Sequence, residues 1–151
     1  MTIRIRPAAA ADLPGFARLQ AASFEETWSA PEIEALLAGP GGFGLAALSD
    51  GRVSGFLIGR AVAGEAEIIT VAVEPDLRRS GLGAALIESA AEAASEAGAS
   101  SLFLEVAVDN EPALKLYEGA GFNRAGFRAA YYQRKGGPPA DALVLRRDLT
   151  G

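Results

Sequence analysis

The sequence contains no cysteine and no histidine among its 151 residues. The lack of cysteine rules out a disulfide, a thiolate nucleophile and a zinc–thiolate site. The lack of histidine rules out a Ser-His-Asp triad and imidazole ligation of a metal ion. Any acid–base chemistry therefore depends on Asp, Glu, Tyr, Lys or water, and we expect no metal site.

Positive charge and long apolar runs are also scarce. The chain has 14 Lys and Arg against 19 Asp and Glu, a net charge of -5, which argues against a nucleic-acid partner. Arg4 and Arg6 interrupt the apolar alternation near the start, unlike the apolar region of a signal peptide. No charge-free apolar run reaches membrane-spanning length. These features predict a cytoplasmic protein with no nucleic-acid or membrane partner.

What is present is the pattern of a globular α/β protein. Half of the residues are hydrophobic and the length suits one domain, so we predict a single domain over residues 1–151. The apolar periodicities predict the order β-α-α-β-β-β-α-β-α-β-β. The predicted strands are residues 3–5, 43–48, 53–58, 67–73, 101–106, 122–132 and 142–149, and the predicted helices are residues 13–23, 30–38, 83–97 and 110–118.

Polar residues mark the predicted helix starts. Asp12 precedes Leu13-Pro14 and is the predicted N-cap of the first helix. The run from Ser29 to Glu32 has the spacing of a capping box. Asn110 is the predicted N-cap of the last helix.

The segment between the fourth predicted strand and the third helix reads LRRSGLGAALIE, residues 77–88. A glycine-containing turn at a helix N-terminus offers free N–H groups and the positive end of the helix dipole to an anion. Gly81 and Gly83 allow close approach of the backbone, and Arg78 and Arg79 add positive charge. The segment completes neither a dinucleotide-binding GxGxxG motif nor a Walker loop. By composition alone, it fits both an anion site and an ordinary turn with solvated arginines.

Two motifs show a resemblance to a known family. The pattern RxxGxG at residues 78–83 resembles the pyrophosphate-binding signature of the GNAT superfamily of N-acetyltransferases. Residues 110–122 resemble the NxxAxxLYxxxGF segment of the same superfamily. With Leu-Glu-Val at 104–106, Tyr-Tyr at 131–132 and Trp-Ser at 28–29, the pattern is most similar to the RimI-type ribosomal-protein alanine N-acetyltransferases.

The resemblance covers essentially the whole chain and implies a fold and a co-substrate. The implied fold is a single-domain α/β GNAT fold, with a mixed, mostly antiparallel sheet of about seven strands flanked by about four helices. The implied co-substrate is acetyl-CoA, held in part by a fourth strand that diverges from the fifth. The positions expected to bind it are Val71, Ala72, Val73, Arg78, Arg79, Ser80, Gly81, Leu82, Gly83, Ala84, Asn110 and Tyr117.

Glu105 is the general base that the resemblance implies, taking a proton from the attacking amine directly or through water. It stands between apolar residues of a predicted strand, where glutamate is depleted. Strand alternation could also simply direct it to solvent. Glu67 is the second candidate, because many superfamily members outside the RimI-like group carry a catalytic glutamate on the fourth strand.

Tyr117 is the implied general acid for the departing thiolate of coenzyme A. A phenol with a pKa of ~10 can protonate a thiolate of similar basicity. The spacing of Tyr117 also fits an ordinary aromatic on the core face of its helix. Because the chain has no cysteine to carry an acyl group, we expect direct transfer in a ternary complex.

The predicted acceptor is an N-terminal α-amine, whose pKa of ~8 demands less of a carboxylate base than the ~10.4 of lysine. The resemblance implies the N-terminal alanine of a small-subunit ribosomal protein, with Trp28 and Tyr132 in the acceptor site. Ala107, however, stands where the RimI-like pattern often has arginine. A small-molecule amine or a lysine side chain therefore stays open as the acceptor, and so does a non-catalytic acyl-CoA-binding module.

Overall fold

The computed structural model describes residues 2–24, 27–132 and 137–149. Within these ranges, seven strands form one sheet in the order β1-β2-β3-β4-β5-β7-β6, and four α-helices accompany it. Every predicted strand and helix is present, in the predicted order. The elements are β1 (Ile3–Pro7), α1 (Leu13–Ser23), α2 (Ala30–Ala38), β2 (Gly42–Ser49), β3 (Arg52–Val62), β4 (Glu65–Val73), α3 (Leu82–Glu96), β5 (Ser101–Ala107), α4 (Glu111–Gly119), β6 (Asn123–Tyr132) and β7 (Ala140–Asp148).

The sheet is mixed and mostly antiparallel, as predicted. Neighbouring strands pair antiparallel everywhere except between β4 and β5, which are parallel. Parallel neighbours need a crossover connection, and α3 supplies it between these two strands. The parallel pair and its crossover helix therefore stand at the centre of the fold.

Two hydrophobic cores lie on opposite faces of the sheet. In the α3–α4 core, the buried side chains of α3 recur every four residues and pack against β3, β5 and β7. In the α1–α2 core, Phe16 of α1 stacks on Phe56 of β3 with 4.6 Å between ring centroids, and Ile33 of α2 is fully buried beside them. Leu57 of β3 points into the α3–α4 core while Phe56 points into the other.

Two of the three predicted helix caps are confirmed. The Glu32 N–H donates to Ser29 Oγ at 3.3 Å, and the Ser29 N–H donates back to Glu32 Oε1 at 3.5 Å. The Ala113 N–H donates to Asn110 Oδ1 at 3.3 Å. Both helices therefore begin where a short polar side chain can satisfy a free backbone donor.

Asp12 stands at the N-cap position of α1, as predicted, but the predicted side-chain cap is wrong. Its carboxylate makes no capping bond to α1 and instead accepts hydrogen bonds from the Arg6 guanidinium at 2.7 and 3.0 Å. It also accepts the Ala9 N–H at 2.7 Å, while the Asp12 N–H donates to the Ala9 C=O at 2.9 Å and closes the 3₁₀ turn over Ala10–Asp12 that precedes α1. The Asp12 side chain is only 5% exposed, so the nearby cation outcompetes the helix terminus for it. These contacts, chiefly that from Arg6, lower the pKa of the Asp12 carboxyl below its ordinary value of 3.8.

Candidate active site

β4 and β5 pair over only three residues and then diverge. The register ends at Glu67 and Phe103. β4 continues to Val73 and β5 to Ala107, and the described chain shows no further pairing between them. Backbone groups on the side of β4 that faces the gap therefore lie outside the sheet ladder.

A β-bulge in β4 accounts for this divergence. The register with β3 skips Ile69, which lies between the paired residues Ile68 and Thr70. An extra residue of this kind bends a strand and increases its local twist. Ile68 before the bulge and Val71 and Val73 after it all point toward the α3–α4 core, so the alternation of side chains shifts by one residue.

The side chains of the three β4 residues predicted to bind acetyl-CoA pack into the protein core. Val71 and Val73 pack on the α3–α4 core, and Ala72 is buried in the α1–α2 core. Each pairs with β3 on one side only. Backbone N–H and C=O groups of successive strand residues point to alternate sides, and the Glu74 N–H donates to the Ser54 C=O beside β3. By this alternation Val71 and Val73 direct their backbone groups toward the gap, whereas those of Ala72 pair with β3.

The loop that precedes α3 contains two residues with a left-handed backbone. The φ angle of Arg79 is 68° and that of Gly81 is 89°. A Cβ added at Gly81 would meet nothing within 4 Å, whereas a Cβ at Gly83 would lie 3.3 Å from the Leu116 side chain. Gly81 therefore supplies the turn and an open surface, and Gly83 permits close packing of α3 against α4.

The N-terminus of α3 presents backbone donors beside this turn. The Ala85 N–H donates to the Gly81 C=O at 3.0 Å, so the N–H groups of the three residues Leu82–Ala84 precede the helical ladder. The Ser80 hydroxyl donates to the Leu77 C=O and stabilises the loop. Free N–H groups and the positive end of the helix dipole suit an anion such as a phosphate.

Arg78 and Arg79 have different surroundings. Arg78 Nε donates to the Val73 C=O at 3.4 Å, and its guanidinium also donates to Ser23 Oγ at 3.3 Å. Ser23 is the last residue of α1, so Arg78 connects the loop, the end of β4 and α1. Arg79 is exposed at the turn itself. Arg79 is therefore the better placed of the two to reach a charged ligand.

Glu105 lies on the sheet face opposite α3 and α4. Its neighbours Leu104 and Val106 point into the α3–α4 core, which places Glu105 and Phe103 on the other face. Glu105 Oε1 lies 3.2 Å from Arg128 Nε, and the Glu105 side chain is 23% exposed. The carboxylate is therefore partly shielded and paired with a cation.

Tyr131 also contacts the Glu105 carboxylate. A hydrogen bond with Glu105 is the main reason that the pKa of the Tyr131 phenol lies above its ordinary value of 10.0, and partial desolvation adds to the rise. The negative charges of Glu105 and Glu67 raise this pKa further, while the Arg128 charge lowers it. The Arg128 guanidinium lies 5.1 Å from the centroid of the Tyr131 ring. Sequence reasoning did not select Arg128 or Tyr131 as site residues.

Glu67, the second candidate base, has a different environment. It lies beside Phe103 at the closed end of the gap, and its side chain is 52% exposed. Arg60 of β3 is its cross-strand neighbour, with 3.7 Å between Arg60 Nη1 and Glu67 Oε1. Glu67 is thus the more solvated of the two carboxylates.

Tyr117 is buried in the α3–α4 core, where its ring meets Phe122 edge-on with centroids 6.0 Å apart. Glu105 faces the other side of the sheet. The two predicted catalytic residues therefore approach the sheet from opposite sides, and the gap between β4 and β5 is the opening in the sheet between those sides. Asn110 caps α4, the helix that carries Tyr117.

Trp28 lines a groove of about 730 Å³ between the α2 segment and the end of β3. The groove also includes Leu36 and Pro40 on one side and Arg60 and Val62 on the other. Because Arg60 pairs with Glu67, the groove reaches the closed end of the gap. The backbone of Tyr132, the other predicted acceptor contact, pairs with Ala140 in β7, and its side chain lies outside the described residues.

The part of the chain that the structure describes contains no group of three or more His, Cys, Asp or Glu side chains that could hold a metal ion. None of the helices described is long and apolar enough to cross a membrane.

Comparisons with known proteins point to one family. The model of a family described as "Acetyltransferase (GNAT) family" matches residues 13–122. N-alpha-acetyltransferase RimI of Mycobacterium tuberculosis is 34% identical over 144 residues, covering 91% of this chain and 87% of that protein. The [ribosomal protein bS18]-alanine N-acetyltransferase of Escherichia coli is 38% identical over 96 residues. That match covers 64% of each chain, so it spans slightly less than two thirds of the Escherichia coli protein.

Solved structures show the same fold. The crystal structure of the ribosomal-protein-S18-alanine N-acetyltransferase from Escherichia coli superposes with a TM-score of 0.89 at 29% identity, covering 99% of this chain and 96% of that one. Arabidopsis thaliana NAA60, crystallised in complex with acetyl-CoA, superposes with a TM-score of 0.89 at 19% identity, covering 99% and 100%. The second likeness concerns the fold alone.

Proposed function

This chain belongs to the GNAT acetyltransferase family, and on that premise we propose that it transfers an acetyl group from acetyl-CoA to a primary amine. GNAT enzymes use acetyl-CoA as the acetyl donor. One observation carries the proposal for this chain. A gap between parallel strands opens beside the N-terminus of a helix, and a partly shielded carboxylate lies on one side of that gap.

The loop and the start of α3 are proposed to bind the pyrophosphate of acetyl-CoA. Leu82, Gly83 and Ala84 would donate their backbone N–H groups, and Arg79 would add positive charge. The open space at Gly81 would admit a phosphate to the backbone. Val71 and Val73 would bind the pantetheine arm through backbone groups in the gap, and Ala72 between them would hold this edge of β4 against β3. Arg78, Ser80, Asn110 and Tyr117 complete the proposed set.

In the proposed reaction, the acceptor's ammonium group first loses one proton to solvent, and Glu105 accepts a second proton as the neutral nitrogen attacks the thioester carbonyl. A nitrogen–carbon bond forms and the carbon–sulfur bond breaks. Tyr117 donates a proton to the sulfur of the departing thiolate and is reprotonated from solvent, and Glu105 releases its proton to solvent. Backbone N–H groups of β4 beside the carbonyl oxygen would stabilise its developing negative charge. No acyl-enzyme is involved.

The proposed acceptor is the N-terminal alanine α-amine of a ribosomal protein. The name of the Escherichia coli relative supports this acceptor. The name of the Mycobacterium tuberculosis relative supports an α-amine, as does the modest strength of a carboxylate base. Trp28 and Tyr132 are the proposed acceptor contacts on the chain. We propose that the reaction takes place in the cytoplasm.

A release assay tests the proposal. Purified protein would be incubated with acetyl-CoA and a peptide that begins with alanine, and free thiol would be followed. The absence of cysteine removes any background signal from the protein. Mass spectrometry of a peptide library with varied N-termini would then identify the preferred acceptor. Thiol release that depends on an alanine N-terminus is the expected result.

One observation favours a second acceptor class. Ala107 stands where the RimI-like pattern often has arginine, and its cross-strand partner in β7 is Ala142, so this pair supplies no guanidinium. Thiol release from acetyl-CoA with spermidine, an aminoglycoside or a lysine peptide, but not with alanine-starting peptides, would indicate an acetyltransferase that acts on small molecules or on lysine. Thermal stabilisation by acetyl-CoA without release on any amine would indicate a binding module.

A further inference from the structure

We propose that Arg128 occupies the position of the acceptor's ammonium group beside Glu105, and that the acceptor binds by displacing it. This inference rests on the proposed function and assigns a part in acceptor binding to a residue of β6. Primary amines are largely protonated at neutral pH, since an α-amine has a pKa of ~8 and a lysine ~10.4. An acceptor therefore arrives at the site as a cation.

The Glu105 carboxylate already has a cationic neighbour. Arg128 Nε lies 3.2 Å from Glu105 Oε1, on the face of the sheet opposite α3 and α4. An ammonium group brought to the same carboxylate would meet a like charge at contact distance, which is unfavourable in a partly shielded site. The two cations therefore compete for Glu105.

The Arg128–Glu105 pair is weaker than the Arg147–Glu88 pair elsewhere in the protein, as a comparison of the two geometries indicates. Arg147 binds Glu88 of α3 with two hydrogen bonds of 2.6 and 3.0 Å and also donates to the Ala120 C=O. Its side chain is 24% exposed. The Arg128 side chain is 56% exposed and its contact with Glu105 is longer. The Arg128 pair is therefore the weaker and the more easily exchanged.

The Arg128 guanidinium keeps favourable contacts after it is displaced from Glu105. Its guanidinium lies over the Tyr131 ring, an attraction that does not need Glu105. Its exposure also allows water to hydrate it. Before the acceptor arrives, the pair shields Glu105 from the cost of an unpaired, partly buried carboxylate. Arg128 thus holds the Glu105 carboxylate in place between turnovers, at some expense in acceptor affinity.

The test compares Arg128→Gln, Arg128→Lys and Arg124→Gln with the wild-type protein. The Arg124 substitution makes the same charge change on the same strand, but opposite Leu145, whose side chain points into the α3–α4 core. We expect Arg128→Gln to lower the KM for an alanine-starting tetrapeptide amide by about 2- to 5-fold, the effect of losing one exposed ion pair. The KM for acetyl-CoA should not change. Arg128→Lys and Arg124→Gln should resemble the wild type.

Calorimetry with coenzyme A present provides a second readout that does not depend on turnover. The tetrapeptide amide should bind more tightly to Arg128→Gln, and the same peptide with an acetylated N-terminus should not, because it has no ammonium group to replace the guanidinium. A weaker-binding amine peptide would mean that Arg128 contacts the acceptor, and equal affinity would mean that it is not displaced. Either result overturns the inference. Tighter binding of the amine peptide without any thiol release would support the displacement of Arg128 and refute the proposed reaction.

Discussion

Glu67 and Phe103 are the last paired residues of β4 and β5, and beyond them the two strands separate. Glu105 follows on one side of the sheet, whereas Tyr117 lies in the core beneath the other. A thioester held in the gap would therefore be open to an amine from one side and to a proton donor from the other. Glu105 and Tyr117 can therefore be tested separately, one on each face of the sheet.

Glu105→Gln should lower kcat by about 10²-fold or more, because it removes the proposed proton acceptor while keeping the size of the side chain. Affinity for acetyl-CoA should stay close to that of the wild type, since the α3 N-terminus is on the other face. Steady-state kinetics and calorimetry would measure the two effects. Glu67→Gln is the matched control and should retain most of the activity. The reverse outcome would assign the base to Glu67.

Tyr117→Phe should lower kcat by about 10²-fold if the hydroxyl protonates the thiolate. The ring that meets Phe122 is retained, so the midpoint of thermal unfolding should move little. Kinetics and thermal melts on the same preparation separate the two effects. An unchanged kcat would leave Tyr117 as a packing residue of the α3–α4 core.

Gly81→Val should weaken acetyl-CoA binding by about tenfold or more, equivalent to ~1.4 kcal/mol, because a side chain would fill the open space at the loop. The positive φ of Gly81 adds a folding cost of roughly 1–2 kcal/mol. Gly51→Val is the matched control, since Gly51 has a φ of 84° and is equally open, in the β2–β3 turn. Both variants should lose similar stability in denaturant titrations. Equal acetyl-CoA affinity in the two would contradict the loop assignment.

Asp12→Asn should destabilise the fold by about 1–3 kcal/mol at neutral pH, because Arg6 and the Ala9 N–H lose a charged acceptor. The pKa of Asp12 is lowered in the folded state, so its contribution is complete above its ordinary value of 3.8 and is lost as the pH falls through the lower folded value. Denaturant titrations at pH 7 and near pH 3 would measure both effects. On acidification, Asp12→Asn should lose less free energy of unfolding than the wild type does. The control Asp148→Asn, at an exposed site, should lose as much as the wild type. Parallel losses in wild type and Asp12→Asn would refute the assignment.

Much of the fold was predictable because its signals are local. The β-branched run of β4, the four-residue apolar spacing of α3 and the capping residues Ser29 and Asn110 all act within one or two turns of chain. Asp12 shows where such reasoning fails. Its N-cap position was plausible, but a cation from β1 took the carboxylate, and only the packing of β1 beside the α1 segment creates that competition.

The site was predictable only in part. The loop and the positions of Glu105 and Tyr117 could be located from sequence motifs, although their roles stay predictions. The residues that contact Glu105 could not be located from the sequence. Arg128 and Tyr131 belong to β6, which is separated from β5 by β7, and Arg128 reaches Glu105 across a strand that follows both residues in the chain.

The sequence by itself determined the order of elements and the exclusion of cysteine and histidine chemistry. These properties follow from residue types and their spacing. Only the tertiary structure decided that β4 leaves β5 after Glu67, since the bulge at Ile69 exists only through pairing with β3. It also decided that Glu105 is held by Arg128 and Tyr131, because strand pairing joins residues that no local pattern connects.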